Sequence, residues 1–472
     1  MRGLPPMRVV VGVLGAVAVL GAAAALRLVR LGTPDRQYFD EVYYAEDARE
    51  YIERGVETIR AVHPPLAKWM MAGAIEVAGF DPFGWRLASA LAGIAAVALV
   101  MGAAWSLRRS IVAALVAGVL VAVDGLSLAM SRIAMVDVFL APLALGAFLA
   151  TAAEVERVLG ADGDERRPPA AGWWRRHRWW LLAGVCCGAS VAVKWSGAAL
   201  LPPVVGCIGA AHAVAAHRRG LGVRAALDAS MLLSALLAFA VVPAAVYVAS
   251  YAGWFANYEH TTAGRARCGE TPCDVGPDRV LGDWWHEQVD IVERHGRLVP
   301  THPYRSEATS WPLARRPVLM YLEACPERPG TRPAQERPCS VRPGNQARIY
   351  GLPNPVVWAA ALMSVPVVVW RALRRRRRTS ALVLTFLVAL YVPWLASPIP
   401  GYLFYMTPIV PFMALAVVEA TFGWSRWRPG AAVAAVVAVA AAGALAWYYP
   451  VLTGVELPVS AVEARLTFDS WR

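Results

Sequence analysis

Long apolar runs separated by short polar gaps set the pattern of this chain. A helix needs ~20 mostly apolar residues to cross ~30 Å of hydrocarbon. Eleven runs approach or exceed that length: 9–29, 84–107, 110–126, 133–153, 179–195, 198–216, 228–251, 354–372, 379–397, 402–421 and 430–449. The pattern predicts an all-α polytopic membrane protein with about 11 transmembrane helices. Two long polar stretches interrupt it, residues 30–83 and 253–353. They divide the chain into an N-terminal transmembrane module over 1–252, a large loop over 253–353, and a C-terminal four-helix module with a tail over 354–472.

Composition agrees with this reading. Of 472 residues 57% are hydrophobic and only 17% charged, and the mean hydropathy is +0.44. Lys and Arg number 46 against 34 Asp and Glu, a basic excess that in other settings would point to nucleic acid. Here the arginines fall in the gaps between spans rather than along one amphipathic face, so nucleic acid is not an expected partner. The basic gaps are Arg108-Arg109, Arg166 to Arg178, Arg218 to Arg224, Arg374 to Arg378, and Arg426 with Arg428. Each follows an even-numbered span, which places them on the side of Arg2 and Arg8. Short basic loops stay cytoplasmic. The expected N-terminus is therefore cytoplasmic, the C-terminus extracytoplasmic, and the location a cell membrane crossed many times.

The same count puts the unusual polar motifs together on the outer face. They include Asp40-Glu41 in the first loop, the turn at 124–132, Lys194-Trp195-Ser196-Gly197 and the whole of 253–353. Arg86, Asp124, Arg132, Asp137 and Lys194 sit at span ends, where hydrocarbon penalises charge; ionisable groups at such depth are functional candidates. Arg132 and Asp137 are five residues apart, about 500° around a helix, and so are not expected to neutralise each other directly. In the large loop, Trp284-Trp285 with His286, Glu287 and Arg294 reads as a helix lying in the membrane interface. The stretch from Pro326 to Gln346 reads as a loop without a packed core.

Cysteine usage fits the same topology. Cys186, Cys187 and Cys207 lie within apolar spans, whereas Cys268, Cys273, Cys325 and Cys339 all fall in the outer loop. An even number there fits one or two disulfides in an oxidising compartment. The spacing from Cys268 and Cys273 to His286 and His295 is too wide for a zinc finger. The sequence establishes no cofactor with certainty, and a divalent metal stays possible but unsupported.

Carboxylates and several cations at one membrane face suit group transfer from a lipid phosphate. The leaving group is then an anion that Lys or Arg stabilises, with no proton donor needed. The acceptor hydroxyl does need a base, and either Asp40 or Glu41 would serve, taking its proton as the new bond forms at an anomeric carbon.

Seven motifs in order resemble a known family. They are Phe39-Asp40-Glu41, His63-Pro64-Pro65-Leu66-Ala67-Lys68, Trp85-Arg86-Leu87, Ser131 to Asp137, Lys194-Trp195-Ser196-Gly197, Ser310-Trp311-Pro312 and Phe404-Tyr405-Met406-Thr407-Pro408. Across residues 35–415 the series is similar to the bacterial protein O-mannosyltransferases. The resemblance implies a glycosyltransferase of GT-C architecture. Such an enzyme takes mannose from a lipid-linked donor, polyprenyl phosphate mannose, and attaches it to Ser or Thr of secreted proteins emerging from the Sec translocon, with the bacterial plasma membrane as its setting. It further implies that Asp40 is the catalytic base, with Glu41 shaping the site. His63, Lys68, Arg86, Arg132, Asp137, Lys194, Trp195 and Tyr405 are expected to bind substrate or donor. Two departures stand out. The large loop is too short for the β-trefoil of eukaryotic members, and Ser397 to Tyr402 carries no basic residue where the family would place one. A lipid-directed transferase resembling the aminoarabinose transferases shares the acidic first loop and the topology. A transporter would instead place charges at mid-membrane in paired repeats.

Overall fold

The computed structural model describes residues 7–58, 62–160, 173–222, 229–269, 273–297, 303–325, 340–397, 401–422 and 429–472. Among them, eight helices are long and apolar enough to cross a membrane. These are α1 (Val9–Leu28 of Met7–Leu28), α4 (Pro82–Arg108), α7 (Asp137–Leu159), α9 (Leu201–Arg218 with the 3-10 turn Trp195–Leu200), α10 (Ala229–Ser250), α12 (Pro355–Leu373), α13 (Arg378–Leu395) and α15 (Pro429–Thr453). The remaining three apolar runs are also helical, but differently. Residues 110–126 form α5 (Ile111–Ala122) and a separate α6 (Gly125–Met130). Residues 179–195 belong to α8 (Trp173–Val193), whose first turns carry arginine and histidine. Residues 402–421 divide into a 3-10 turn (Leu403–Met406) and α14 (Val410–Phe422). At ~1.5 Å per residue, α5 and α14 are too short to cross the hydrocarbon alone.

The bundle is organised around α4 and α7, whose apolar stretches are 61% and 67% buried, against 11% for α1 at the rim. Small residues allow this close approach: an added side chain at Gly93 would meet Ser131 and Arg27 at under 3 Å. The turn between α5 and α6 is fastened by Asp124. It accepts from the Ser127 amide at 2.9 Å, the Asn354 amide at 3.2 Å and Trp358 Nε1 at 3.1 Å. The Asn354 side chain in turn donates to the carbonyls of Val123 and Ala441. Asp124, a functional candidate by its depth, is thus a structural clasp between the two transmembrane modules.

Two further helices lie in the first outer loop, α2 (Glu41–Arg54) and α3 (Leu66–Ala78), and a long amphipathic one in the second, α11 (Pro277–Gly296). Helix α11 leaves Leu281, Trp285 and Val292 exposed on one side. Gln288 fixes the helix to the bundle along an adjoining face, its Oε1 accepting from Tyr247 and Tyr251. An apolar face with tryptophan on it suits the interfacial position expected of this segment.

The all-α expectation needs one correction. Strands β1 (Val318–Ala324) and β2 (Asn345–Gly351) pair antiparallel, and β3 (Leu457–Pro458) from the tail joins β2. The outer loop and the C-terminal tail therefore form one small sheet. Trp471 reinforces it by donating from Nε1 to the Ala314 carbonyl at 2.7 Å. Strand pairing here is long-range, and no tight hairpin turn marks it in the sequence. Cys268 and Cys273 are bonded to each other, which removes the zinc alternative. Cys325 is also disulfide-bonded. Cys339, residues 326–339 of the expected coreless loop, and residues 398–400 lie outside the described residues.

Candidate active site

The first outer loop enters its site through a strained turn. Phe39 has φ 53°, a left-handed conformation unusual for an aromatic residue, and its ring packs edge-on against Phe404. The next residue, Asp40, occupies the N-cap of α2. An aspartate there ordinarily accepts from the first-turn amides, yet the Asp40 side chain makes no capping hydrogen bond. Among the described residues its carboxylate has no hydrogen-bond or ion-pair partner at all.

Glu41 is the opposite case. Fully buried, it accepts from Arg86 Nε at 2.7 Å and Nη2 at 2.9 Å, from the Ala134 amide at 3.0 Å and from the Tyr38 amide at 3.3 Å. Arg86 spends its remaining donors on the carbonyls of Leu31, Pro34 and Arg36. Such a bidentate pair, with every donor and acceptor used, is how a buried ion pair becomes tolerable.

The surroundings of Asp40 are defined by Asp137 and Lys194. Lys194 Nζ donates to Asp137 Oδ1 at 2.8 Å and lies 4.3 Å from the centre of the Tyr405 ring. Burial raises Asp40 to about 6, with Asp137 pushing further in the same direction and Lys194 opposing. Tyr44 feels both carboxylates and Tyr405, and the His63 ring stacks on it. His63 also approaches His295 of α11, ring to ring, at 5.4 Å. Burial, followed by Lys194, His295 and Lys68, holds His63 well below the usual imidazole range, so it is neutral.

Two clefts open beside this group. One is lined by Asp137, Ser196, Gly197, Trp394 and Tyr405. The other is lined by Arg305, Ser306, Glu307, Trp311, Trp394 and Gly401. Trp394 is common to both and stacks on Tyr405 with centroids 4.5 Å apart. Gly401 is required by this packing, since a side chain there would stand 2.5 Å from Trp311.

Of the residues expected from sequence, the structure brings together Asp40, His63, Asp137, Lys194 and Tyr405. Three expected substrate cations instead turn inward. Arg86 holds Glu41. Arg132 donates to the carbonyls of Leu26, Arg27, Val29 and Arg30, closing the end of α1 where backbone acceptors have no helical partner. Lys68, 1% exposed, is bound by Glu57 and lies 3.8 Å from Asp47. In each case a deeply placed charge has found acceptors within the protein, as burial demands. Trp195 donates to Tyr247 Oη at 2.9 Å and so supports the attachment of α11 rather than lining either cleft. Sequence reasoning missed Arg305, which has no ion-pair partner among the described residues, as well as Trp394 and His295. Only the proximity of Arg305 to the Ser310-Trp311-Pro312 motif signalled it.

The helical bundle has a fold like that of the GT-C membrane glycosyltransferases. Residues 17–258 match the family described as dolichyl-phosphate-mannose-protein mannosyltransferase, and residues 280–471 match the C-terminal four-TMM region of protein-O-mannosyltransferase. The chain belongs to this family. It is 29% identical over 503 residues to the polyprenol-phosphate-mannose--protein mannosyltransferase of Mycolicibacterium smegmatis, covering 96% of this chain and 92% of the relative. With the Mycobacterium tuberculosis protein of the same name it shares 30% identity over 476 residues, 94% of this chain and 88% of the relative. Among solved structures, the S. cerevisiae protein O-mannosyltransferase complex bound to the sugar donor superposes with a TM-score of 0.76 at 14% identity, over 100% of this chain and 93% of that one. ArnT from Cupriavidus metallidurans bound to undecaprenyl phosphate gives 0.52 at 18% identity, over 93% and 65%.

The electrostatics of Asp40 make a prediction about stability. Its carboxyl is raised in the folded protein from 3.8 to about 6. Its contribution is therefore fully present below about pH 4 and lost as pH rises through about 6, a loss on the order of 2–3 kcal/mol. Asp40→Asn removes this dependence. Thermal unfolding of the purified protein is expected to show the variant more stable than the parent at neutral pH, with the advantage vanishing at low pH. A difference independent of pH would contradict the burial of a free carboxylate.

Proposed function

We propose that this protein is an inverting mannosyltransferase that moves mannose from polyprenyl phosphate mannose to Ser or Thr hydroxyls of proteins as they are secreted. The observation that carries the reading is the Asp40 carboxylate, free of internal partners and next to the Lys194–Asp137 pair. In this reading Asp40 removes the proton of the acceptor hydroxyl, and the oxygen attacks the anomeric carbon from the face opposite the phosphate. The bond from that carbon to the phosphate oxygen breaks, and the lipid phosphate leaves with the electron pair, its charge met by Lys194. Tyr405 and Trp394 provide a wall against which a sugar ring packs. His63 and Asp137 orient groups around Asp40, and Glu41 with Arg86 keeps Asp40 in place. Arg305 supplies a second cation from the neighbouring cleft, the role that the uncharged turn after Ser397 leaves open.

The finer topology is part of the same proposal. It has eleven spans, with α5–α6, α8 and α14 completing the eight long helices, a cytoplasmic N-terminus, an extracytoplasmic site and a bacterial plasma membrane. The support is the charge count, in which each basic gap follows an even-numbered span, together with the two fully described gaps, Arg108-Arg109 after α4 and Arg374 to Arg378 after α12. The three segments 1–252, 253–353 and 354–472 then serve as catalytic module, outer loop and C-terminal module.

With a lipid-linked mannose donor and a Ser/Thr peptide, Asp40→Asn is expected to slow transfer by roughly 100-fold to 10,000-fold while the protein still accumulates in membranes. In the parent, kcat/KM should climb as pH rises through about 6 and then level off, because the base must be ionised and burial raises Asp40 to that value. Full activity in the variant would remove Asp40 from the chemistry. For Arg305→Ala, loss of a charge-assisted contact should raise the donor KM by roughly tenfold or more, with kcat nearly unchanged; an unaltered donor KM would free Arg305 from phosphate recognition. Single cysteines tested with a membrane-impermeant thiol reagent should label at position 40 from outside and at 376 only after permeabilisation. The reverse pattern would invert the proposed orientation.

A further inference from the structure

At the end of the bundle away from Asp40, two turns place arginines side by side. The turn after α4 holds Arg108 and Arg109, and the turn from α12 to α13 holds Arg374 to Arg378. They converge on one buried carboxylate, Glu419 of α14. Its Oε2 accepts from Arg108, from Thr379 at 3.1 Å and from Ser380 at 2.8 Å, while Arg371 donates to the backbone carbonyls of Glu419 and Ala420. Arg378 donates to the Leu159 carbonyl at the end of α7. Glu419, Arg108, Arg371 and Arg378 are thus occupied in closing the bundle. Arg109 and Arg374 to Arg377 remain exposed, without an ion pair among the described residues. Among the described residues of this end, Glu156 on α7 is an exposed carboxylate.

Local structure alone does not call for arginine at these positions. Arg109 at φ 49° and Arg376 at φ 50° both adopt the left-handed conformation, which glycine or asparagine enters with less strain. Arg377 and Arg378 stand at the N-terminus of α13, where the helix dipole disfavours a cation. Orientation in the membrane needs only an excess of basic residues, not a strained placement of them. Two guanidinium groups also lie over tryptophans at the same level, Arg109 over Trp105 at 4.7 Å and Arg375 over Trp370 at 4.9 Å. These indoles are 47% and 38% exposed, as aromatic residues at headgroup depth are.

We infer that Arg109 with Arg374, Arg375 and Arg376 forms a docking site for the phosphate headgroups of anionic phospholipids, on the membrane face opposite the catalytic carboxylate. Basic clusters directly beside a transmembrane helix attract such lipids at roughly fivefold in affinity per charge. The geometry here adds a fixed arrangement, since Glu419 ties both turns to one point. A lipid held there would clasp the ends of α4, α12 and α13 together.

The test uses the full chain in nanodiscs of phosphatidylcholine with and without phosphatidylglycerol, and native mass spectrometry to count retained lipids. The parent is expected to retain phosphatidylglycerol selectively and to melt at a higher temperature in its presence. In Arg374→Gln/Arg375→Gln/Arg376→Gln the affinity should fall on the order of 100-fold, the thermal shift should be lost, and transfer activity in neutral nanodiscs should match the parent. High salt should weaken retention in the parent, and inorganic phosphate alone should produce no shift. Should the triple variant not accumulate, the headgroup comparison on the parent decides. Equal retention of charged and neutral lipids by the parent, equal shifts in parent and variant, or a shift reproduced by inorganic phosphate would each overturn the assignment.

Discussion

The buried pair between Glu41 and Arg86 is the constraint on which the rest of the site depends. Neither charge is affordable at that depth alone. Together they satisfy each other bidentately, and their remaining valences reach the Tyr38 and Ala134 amides and the carbonyls of Leu31, Pro34 and Arg36. Three segments distant in sequence are thereby drawn together: the exit from α1, the start of α4 and the turn before α7. Asp40 is the residue immediately before this anchor, so its position is inherited from a neighbour whose side chain is wholly committed. A carboxylate that must stay free of partners cannot hold itself in place, and the adjacent glutamate does so instead.

The same division of labour runs through the other charges. Arg132 closes the carbonyl end of α1, Lys68 balances Glu57 beside Asp47, Asp124 clasps the α5–α6 turn to Asn354 and Trp358, and Glu419 joins three helices at the far end. Most of the ionisable residues in this bundle are therefore fasteners. Asp40 lacks such engagement although it is largely buried beside Asp137 and Lys194, and Arg305 lines one of the two clefts without an ion pair among the described residues.

Much of this was legible in the sequence. Spans of apolar residues announce themselves because hydrocarbon tolerates little else, and the ordered motifs from Phe39 to Pro408 located the family and the acidic loop. Choosing between Asp40 and Glu41 was not possible from the residues, since adjacent carboxylates differ only in what surrounds them. Nor does sequence tell a cation that meets substrate from one that meets a helix end. Arg86, Arg132 and Lys68 sit in motifs just as Lys194 does, and only three-dimensional acceptors separate them. The sheet was missed because β1 and β2 are far apart in the chain and β3 comes from the tail, so their pairing leaves no local trace. Arg305 lay hidden among other arginines of the loop.

In the proposed reaction, where Lys194 meets the lipid phosphate, its hydrogen bond to Asp137 has a consequence for turnover. A buried ammonium left bare after each reaction cycle would have to draw in water or seize whatever anion remained nearby, and a spent lipid phosphate, more highly charged than the diester it came from, would be the readiest candidate. With Asp137 waiting 2.8 Å away, the vacated lysine is never without a counter-ion. The internal carboxylate competes with the departing product, and the empty site resets itself.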